Sequence, residues 1–192
     1  MKKPGLLKYL FLLFDFFSAL FSWSAFYYFR KTQIEHVPFE FSERFYLGLL
    51  IIPSLWITAY WLFGSYDNVY RKYRMQVFSQ TIVSSFLGTL AVFFIFILDD
   101  TVTVYSDYYT SFLFLFILHF SLTFIFRFTL TSVIVKQIHN QKIGFNTIII
   151  GGNDKAFETY TEMNQGKNYG GNIFVGYLRV NGKDTILKKY IP

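Results

Sequence analysis

Four long apolar segments are the feature that most constrains how this chain folds. They cover residues Leu6–Phe29, Phe45–Phe63, Val77–Leu98 and Ser111–Val135. A bilayer core of roughly 30 Å is crossed by about 20 helical residues, so each segment is long enough to span it. The second and third segments hold no formally charged residue. The sequence therefore predicts an α-helical membrane protein whose residues 1–135 form a bundle of four transmembrane helices.

The cations predict the orientation of the bundle, because Lys and Arg collect on the cytoplasmic side of membrane proteins. With a cytoplasmic N-terminus, the inner side receives Lys2, Lys3, Lys8, Arg71, Lys72, Arg74, Lys136 and Lys142. The outer loops receive Arg30, Lys31 and Arg44 together with Asp99, Asp100 and Asp107. This distribution favours cytoplasmic N- and C-termini. Aromatic residues near the segment ends, including Tyr60 and Trp61, are expected at headgroup depth.

The net charge of +6 does not indicate a nucleic-acid partner. Many of the cations flank the apolar segments, where they select orientation and meet anionic lipid headgroups. The chain contains no cysteine, which excludes disulfides, thiolate metal sites and cysteine nucleophiles. The expected partner is the lipid bilayer.

Two ionisable residues lie inside the apolar segments, where charges are costly and usually paired. Asp15 and Arg127 both fall roughly 12–14 Å from the predicted inner boundary at 1.5 Å per residue. Equal depth and opposite charge predict an intramembrane pair, with a structural role or, alternatively, with Arg127 binding a lipid phosphate. His119 is expected to be structural, because no second histidine or carboxylate stands three or four residues away to form a metal site.

The loop after the second segment interleaves cations with tyrosines. Tyr66, Tyr70 and Tyr73 have helical spacing, so they are candidates to lie flat in the membrane interface. The cations of this loop are then candidate lipid-headgroup ligands: Arg71, Lys72 and Arg74. The alternative is a simple basic anchor on the cytoplasmic side.

After Val135 the composition changes. Residues 136–145 are predicted to be a polar linker, and residues 146–192 the start of a Rossmann-like α/β module. A β-branched strand over 146–150 precedes a glycine turn, a helix that Asp154 can cap and that runs to about Gln165, and a second strand over Asn172–Val180. Strand, turn, helix and strand in this order open a doubly wound α/β domain.

The glycine turn is a weak candidate for cofactor binding through Gly151 and Gly152. A dinucleotide fingerprint would read G-x-G-x-x-G/A, but Asn153 stands where the middle glycine lets the backbone approach a pyrophosphate. Arg179 and Val180 stand where an acidic residue would hold a ribose. The alternative is a purely structural β-α-β unit, so no cofactor is expected in this chain.

The order of these features resembles the N-terminal portion of bacterial polyprenyl glycosylphosphotransferases. The resemblance rests on the four spans, the Tyr-Asp-(x)2-Tyr-Arg segment at Tyr66–Arg71, the arginine in the fourth span, Asn146-Thr-Ile-Ile-Ile-Gly-Gly-Asn, and Val175-Gly-Tyr-Leu. These inner-membrane enzymes transfer sugar-1-phosphate from a nucleotide sugar to undecaprenyl phosphate in exopolysaccharide, capsule or O-antigen synthesis. The resemblance implies polyprenyl phosphate and a second copy of the chain as further partners.

The chemistry of that family lies in a later domain with a re-entrant helix, an Asp-Glu pair and Mg²⁺. We therefore expect no catalytic residue and no metal in these 192 residues. Two alternatives stay open. The chain is alternatively the N-terminal portion of a membrane nucleotide-sugar 4,6-dehydratase, or a free-standing small membrane protein that binds a lipid or a partner.

Overall fold

The structure is a computed structural model that describes residues 4–97, 105–151, 153–165 and 170–178. The chain divides into two compact units, one ending at Ser132 and the other beginning at Val133. In chain order the elements are α1 (Pro4–Phe29), a π-helical turn (Arg30–Ile34), α2 (Glu43–Leu62), a 3-10 turn (Val69–Arg71), α3 (Arg74–Val92), a π-helical turn (Phe93–Ile97), α4 (Tyr105–His139), β1 (Phe145–Ile150), α5 (Asp154–Gln165) and β2 (Asn172–Leu178).

Four of the helices, α1 to α4, are long and apolar enough to cross a membrane, as the sequence predicts. All four begin earlier than predicted, α1 and α2 by two residues each. Helix α3 begins at Arg74, directly after the extended residue Tyr73, and α4 begins at Tyr105 instead of Ser111. The predicted outer-loop residues Asp99 and Asp100 lie outside the described residues.

Helices α1, α2 and α3 approach each other at glycines that lie against tryptophan rings. A Cβ atom added to Gly48 of α2 would stand 2.1 Å from the Trp23 ring of α1. A Cβ atom on Gly88 of α3 would stand 2.0 Å from the Trp56 ring of α2. Since real Cβ atoms do not come so close, only glycine allows these backbones their present separation, which is the usual role of small residues between membrane helices.

Helices α3 and α4 are instead joined by phenylalanine rings. Phe112, Phe116, Phe120, Phe124 and Phe128 follow one another along α4 at intervals of four residues. Phe78 and Phe86 of α3 pack edge-on against this row, with ring centroids 5.5–6.1 Å apart. Edge-to-face contacts at such distances are favourable for aromatic pairs. The α3–α4 interface is therefore made of rings, whereas the α1–α2 and α2–α3 interfaces depend on glycine.

The interior of the bundle contains many polar side chains among its apolar ones, whereas large apolar side chains cover its outer surface. Ser18, Thr81, Ser85, His119 and Thr123 are at most 2 % exposed. Large apolar side chains such as Leu50, Leu62 and Phe94 are at least 60 % exposed on the outer surface. Lipid tails cover such a surface without cost, whereas water does not. This distribution fits a membrane bundle and places the chemically active groups in its interior.

Helix α4 extends to His139, so the first four residues of the predicted linker are helical instead of irregular. The sequence offers no helix breaker before Asn140. The helix ends where Gln141 takes a left-handed conformation with φ of +56°. The amide of Lys142 then donates to the carbonyl of Gln137, which satisfies one of the free carbonyls at the helix end.

Strands β1 and β2 form a two-stranded parallel sheet connected through α5. Ala156 of α5 is buried among apolar residues of both strands and of its own helix: Ile149, Phe157, Tyr160, Phe174 and Tyr177. Asn153, not Asp154 as predicted, caps α5, because its Oδ1 accepts from the Ala156 amide at 3.1 Å. Asn153 lies directly before Asp154, the first residue of the helix, which is the N-cap position. A larger Rossmann-like fold around this unit stays a prediction.

Candidate functional site

Five buried residues form a connected polar core inside the helix bundle: Asp15, Tyr60, Tyr66, His119 and Arg127. Each is at most 4 % exposed. They come from α1, α2, the loop between α2 and α3, and α4. In hydrocarbon a polar group without a partner is strongly unfavourable, so these residues depend on one another.

The structure brings Asp15 and Arg127 into a bidentate ion pair. The guanidinium donates from Nε to Oδ1 at 2.8 Å and from Nη2 to Oδ2 at 2.7 Å. Two parallel charge-assisted hydrogen bonds fix both distance and angle, which an ammonium group would not do. The two side chains that the sequence predicts at equal depth are therefore in direct contact, and their ion pair joins α1 to α4.

Tyr66 is the third member of this contact, although it lies in a loop. Its hydroxyl donates to Asp15 Oδ2 at 2.9 Å. Burial, together with the Asp15 charge, raises the pKa of Tyr66 well above its usual value, so the hydroxyl stays protonated and continues to donate. The prediction that Tyr66 lies flat in the membrane interface is wrong, because Tyr66 is 4 % exposed whereas Tyr73 is 76 % exposed.

A turn at Asn68 brings Tyr66 into the bundle. Asn68 has φ of +44°, a left-handed conformation that asparagine tolerates better than most residues. The segment then forms only a single 3-10 turn over Val69–Arg71, instead of an amphipathic helix. Ser65 and Val69 of the same loop are also buried. The loop is therefore a packed part of the bundle.

Tyr60 connects the ion pair to His119. The Arg127 guanidinium carbon lies 3.9 Å from the Tyr60 ring centroid, a close cation–π contact. The Tyr60 hydroxyl and His119 Nε2 are hydrogen-bonded at 2.7 Å. His119 also stacks on Trp56 with ring centroids 3.7 Å apart. The sequence placed Tyr60 at headgroup depth, but it is fully buried, while its neighbour Trp61 is 64 % exposed.

Lys72 is buried beside this core and does not present its ammonium group to a headgroup. Its Nζ donates to the carbonyls of Gly64 at 3.0 Å and Ser65 at 2.7 Å, and to Gln80 Oε1 at 2.9 Å. Burial, and to a smaller extent the Arg127 charge, lowers the pKa of Lys72 from 10.5 to about 8. All three N–H donors thus connect the end of α2 to α3.

Arg71 and Arg74 are exposed, in contrast to Lys72. The Arg74 guanidinium carbon lies 6.0 Å from the Phe128 ring centroid on α4. The role of these two residues as lipid-headgroup ligands stays a prediction. At the other end of the bundle, Arg30 and Lys31 each form an ion pair with Glu35, and the distance from Arg30 Nε to Glu35 Oε1 is 3.3 Å. The two cations that fit the predicted orientation least are therefore partly neutralised.

The weak cofactor candidates lie in the other unit. Gly151 has φ of +134°, a conformation that side chains rarely adopt, and a Cβ atom there would meet Ala156 Cβ at 3.5 Å. Gly152 lies outside the described residues. Among the residues that the structure describes, no group of three or more His, Asp or Glu side chains is placed to hold a metal ion. The polar core is therefore the strongest candidate site.

We expect Asp15→Asn and Arg127→Gln each to destabilise the bundle by about 3–5 kcal/mol, because removal of one partner leaves the other charge buried and unpaired. The double variant should be more stable than the sum of the two single effects predicts. Unfolding of the purified protein in mixed micelles by a denaturing detergent measures all four free energies. Asp67→Asn, at an exposed position, is the control. A double variant that is no more stable than the less stable single variant would contradict the view that Asp15 and Arg127 mainly stabilise each other.

We expect Lys72 to make the stability of the protein depend on pH. Its folded pKa of about 8 lies below the unfolded value of 10.5, so the unfolded chain binds more protons between these values. The free energy of unfolding contributed by this residue therefore rises as pH increases from about 8 to 10.5. Melting temperatures of the wild type and Lys72→Met across this range give the difference. A constant difference would contradict the lowered pKa.

Comparison with known proteins finds no matching protein-family model, no matching curated protein and no matching solved structure. The function of the polar core is therefore inferred from its own residues and from the order of the helices and strands along the chain.

Proposed function

We propose that this chain is the N-terminal membrane and regulatory portion of a sugar transferase that moves sugar-1-phosphate from a nucleotide sugar to undecaprenyl phosphate. The observation that carries the proposal is the order of elements. Four helices of membrane-spanning length precede a β-α-β unit, and the fourth helix contains a buried arginine. This order matches the arrangement expected from the resemblance to polyprenyl glycosylphosphotransferases.

In that family the reaction is performed by a separate catalytic domain, so the role proposed for these residues is positional. The bundle would serve as scaffold, as a surface for a second copy of the chain, and as a route by which the lipid reaches the enzyme. The Asp15–Arg127–Tyr66 contact supports a scaffold, because it joins α1, α4 and the α2–α3 loop by directed hydrogen bonds. The exposed Arg71 and Arg74 would meet anionic headgroups.

The proposal includes a bacterial inner-membrane location with both termini in the cytoplasm. The test is a pair of reporter fusions, alkaline phosphatase and green fluorescent protein, placed after Lys142 and after Glu40. At Lys142 we expect fluorescence without phosphatase activity, because the cation distribution favours a cytoplasmic position there. At Glu40, between α1 and α2, we expect the reverse. Strong phosphatase activity after Lys142 would overturn the orientation.

The enzymatic part of the proposal is tested in the native bacterium by deletion of the coding segment for residues 1–192. Membranes from the deletion strain receive a nucleotide sugar labelled in both the sugar and the β-phosphate. We expect label in the lipid extract to fall to background and to return on complementation with the intact gene. Unchanged lipid-linked label would contradict the proposal. Loss of a 4-keto-6-deoxy nucleotide sugar, with lipid-linked label retained, would favour the dehydratase alternative.

A further inference from the structure

A groove runs along an exposed side of helices α2 and α3. It consists of two neighbouring cavities of about 610 and 570 Å³, and Phe63 at the end of α2 lines both of them. The larger cavity follows α2 from Leu50 to Phe63 and reaches Ala91 of α3. The smaller cavity lies beside the first turns of α3, from Met75 to Val83. Leu50, Phe63 and Met75 are exposed, so the groove opens to the surface that lipid tails cover.

The two cavities differ in polarity. The smaller cavity is lined by the polar side chains of Gln76, Ser79 and Gln80. The larger cavity contains only the hydroxyl groups of Ser54 and Thr58 among apolar lining residues. Each of these hydroxyls donates to the carbonyl four residues earlier in α2, at 2.7–2.8 Å, so neither needs a further partner. A groove with one polar end and a longer apolar part matches an amphiphilic ligand.

Positive charge is concentrated at the polar end. Lys72 Nζ donates to the Oε1 atom of Gln80, a residue that lines the smaller cavity, at 2.9 Å. The other two acceptors of Lys72 are backbone carbonyls, so all three partners are neutral groups. Residues 64–74 contain the cations Arg71, Lys72 and Arg74 and a single acid, Asp67. This end of the groove therefore favours an anionic headgroup.

The groove is longer than one leaflet of a bilayer. At 1.5 Å per residue, it follows α2 for about 20 Å and α3 for about 24 Å. One leaflet contributes about half of a hydrocarbon core of roughly 30 Å. Seen from the polar end, Leu50 lies beyond the midpoint of α2, and Ala91 lies beyond the midpoint of α3. An acyl chain that ends at the membrane midplane would leave this far part empty, so a ligand that fills the groove has a longer chain.

We propose that this groove binds polyprenyl phosphate, with the phosphate at the Gln76–Gln80 end and the isoprenoid chain extending along α2 and α3 toward Leu50. The choice of an isoprenoid rests on the proposed function, whereas the length, polarity and charge of the groove follow from its own residues. A second copy of the chain matches only the apolar part of the groove, whereas a lipid with an anionic headgroup matches both parts. The groove would hold the lipid beside the bundle before its phosphate reaches a catalytic domain.

Photolabelling of the full chain in nanodiscs of phosphatidylethanolamine and phosphatidylglycerol tests this proposal. One probe is an isoprenoid phosphate whose chain is as long as the groove and carries a diazirine at its far end. The other is phosphatidylglycerol with a diazirine at the end of one acyl chain. Peptide mass spectrometry compares the label at Leu50 and Ala91 with the label at Ile117, an exposed residue of α4.

We expect the isoprenoid phosphate to label Leu50 and Ala91 severalfold more than Ile117, and phosphatidylglycerol to show no such preference. Unlabelled isoprenoid phosphate should compete for the groove severalfold better than the same isoprenol without its phosphate, because the polar end is positively charged. Equal labelling of all three residues by the isoprenoid phosphate would overturn the proposal. Equal competition by the neutral isoprenol would contradict the position assigned to the phosphate.

Two tryptophan variants distinguish the groove from the general lipid-facing surface. Thr58→Trp places a large ring in the larger cavity, and Ile125→Trp adds the same ring at an exposed position of α4. We expect the label at Leu50 to fall severalfold in Thr58→Trp and to stay unchanged in Ile125→Trp. A label that persists in Thr58→Trp would contradict binding in the groove. If Thr58→Trp instead separates a dimer into single chains while the label persists, a second copy occupies the groove and the proposal is wrong.

Binding in the groove and the proposed function can fail separately, because photolabelling detects the bound lipid without any transfer reaction. Loss of the groove label together with intact sugar-phosphate transfer would overturn the binding site alone. A retained groove label in a protein whose deletion leaves lipid-linked sugar unchanged would overturn the proposed function alone.

Discussion

The bidentate contact between Asp15 and Arg127 is the interaction on which the rest of the bundle depends. Neither charge is tolerable alone at this depth, and each satisfies the other through two directed hydrogen bonds. Because the geometry of the guanidinium is planar, the contact fixes how α1 and α4 are rotated as well as how far apart they lie. Tyr66 then completes the coordination of Asp15, and Tyr60 covers the face of Arg127. The polar core is thus organised outward from one carboxylate.

Two different physical solutions hold the helices around this core. Between α1, α2 and α3, glycines remove side-chain volume so that a tryptophan ring fits against the neighbouring backbone. Between α3 and α4, a row of phenylalanine rings supplies volume instead. The glycine contacts depend on single positions, since a Cβ atom added to either glycine would collide with the tryptophan ring. The phenylalanine row spreads the contact over many rings, so that loss of one ring leaves the others in place.

Hydropathy was sufficient to predict the four long helices, because length and apolar composition determine whether a helix can cross a bilayer. The equal depth and opposite charge of Asp15 and Arg127 were sufficient to predict that they form a pair. The positions of Tyr60, Tyr66 and Lys72 could not be predicted in the same way. Tyr66 and Lys72 depend on the left-handed turn at Asn68 and on carbonyls at the end of α2, which hydropathy does not reveal. Tyr60 differs from its exposed neighbour Trp61 only by the direction of its side chain around the helix.

The separation of Asp15 and Arg127 by 112 positions has a consequence for biosynthesis. At a translation rate of roughly 5–20 residues per second, the carboxylate of α1 waits on the order of 10 s before its guanidinium partner is made. During this time the nascent first helix contains an unpaired acidic group, which favours a shallow or partly inserted position until α4 emerges. The ion pair can therefore form only after α4 has been synthesised, so the contact that joins the first helix to the fourth is a late step in the assembly of the bundle.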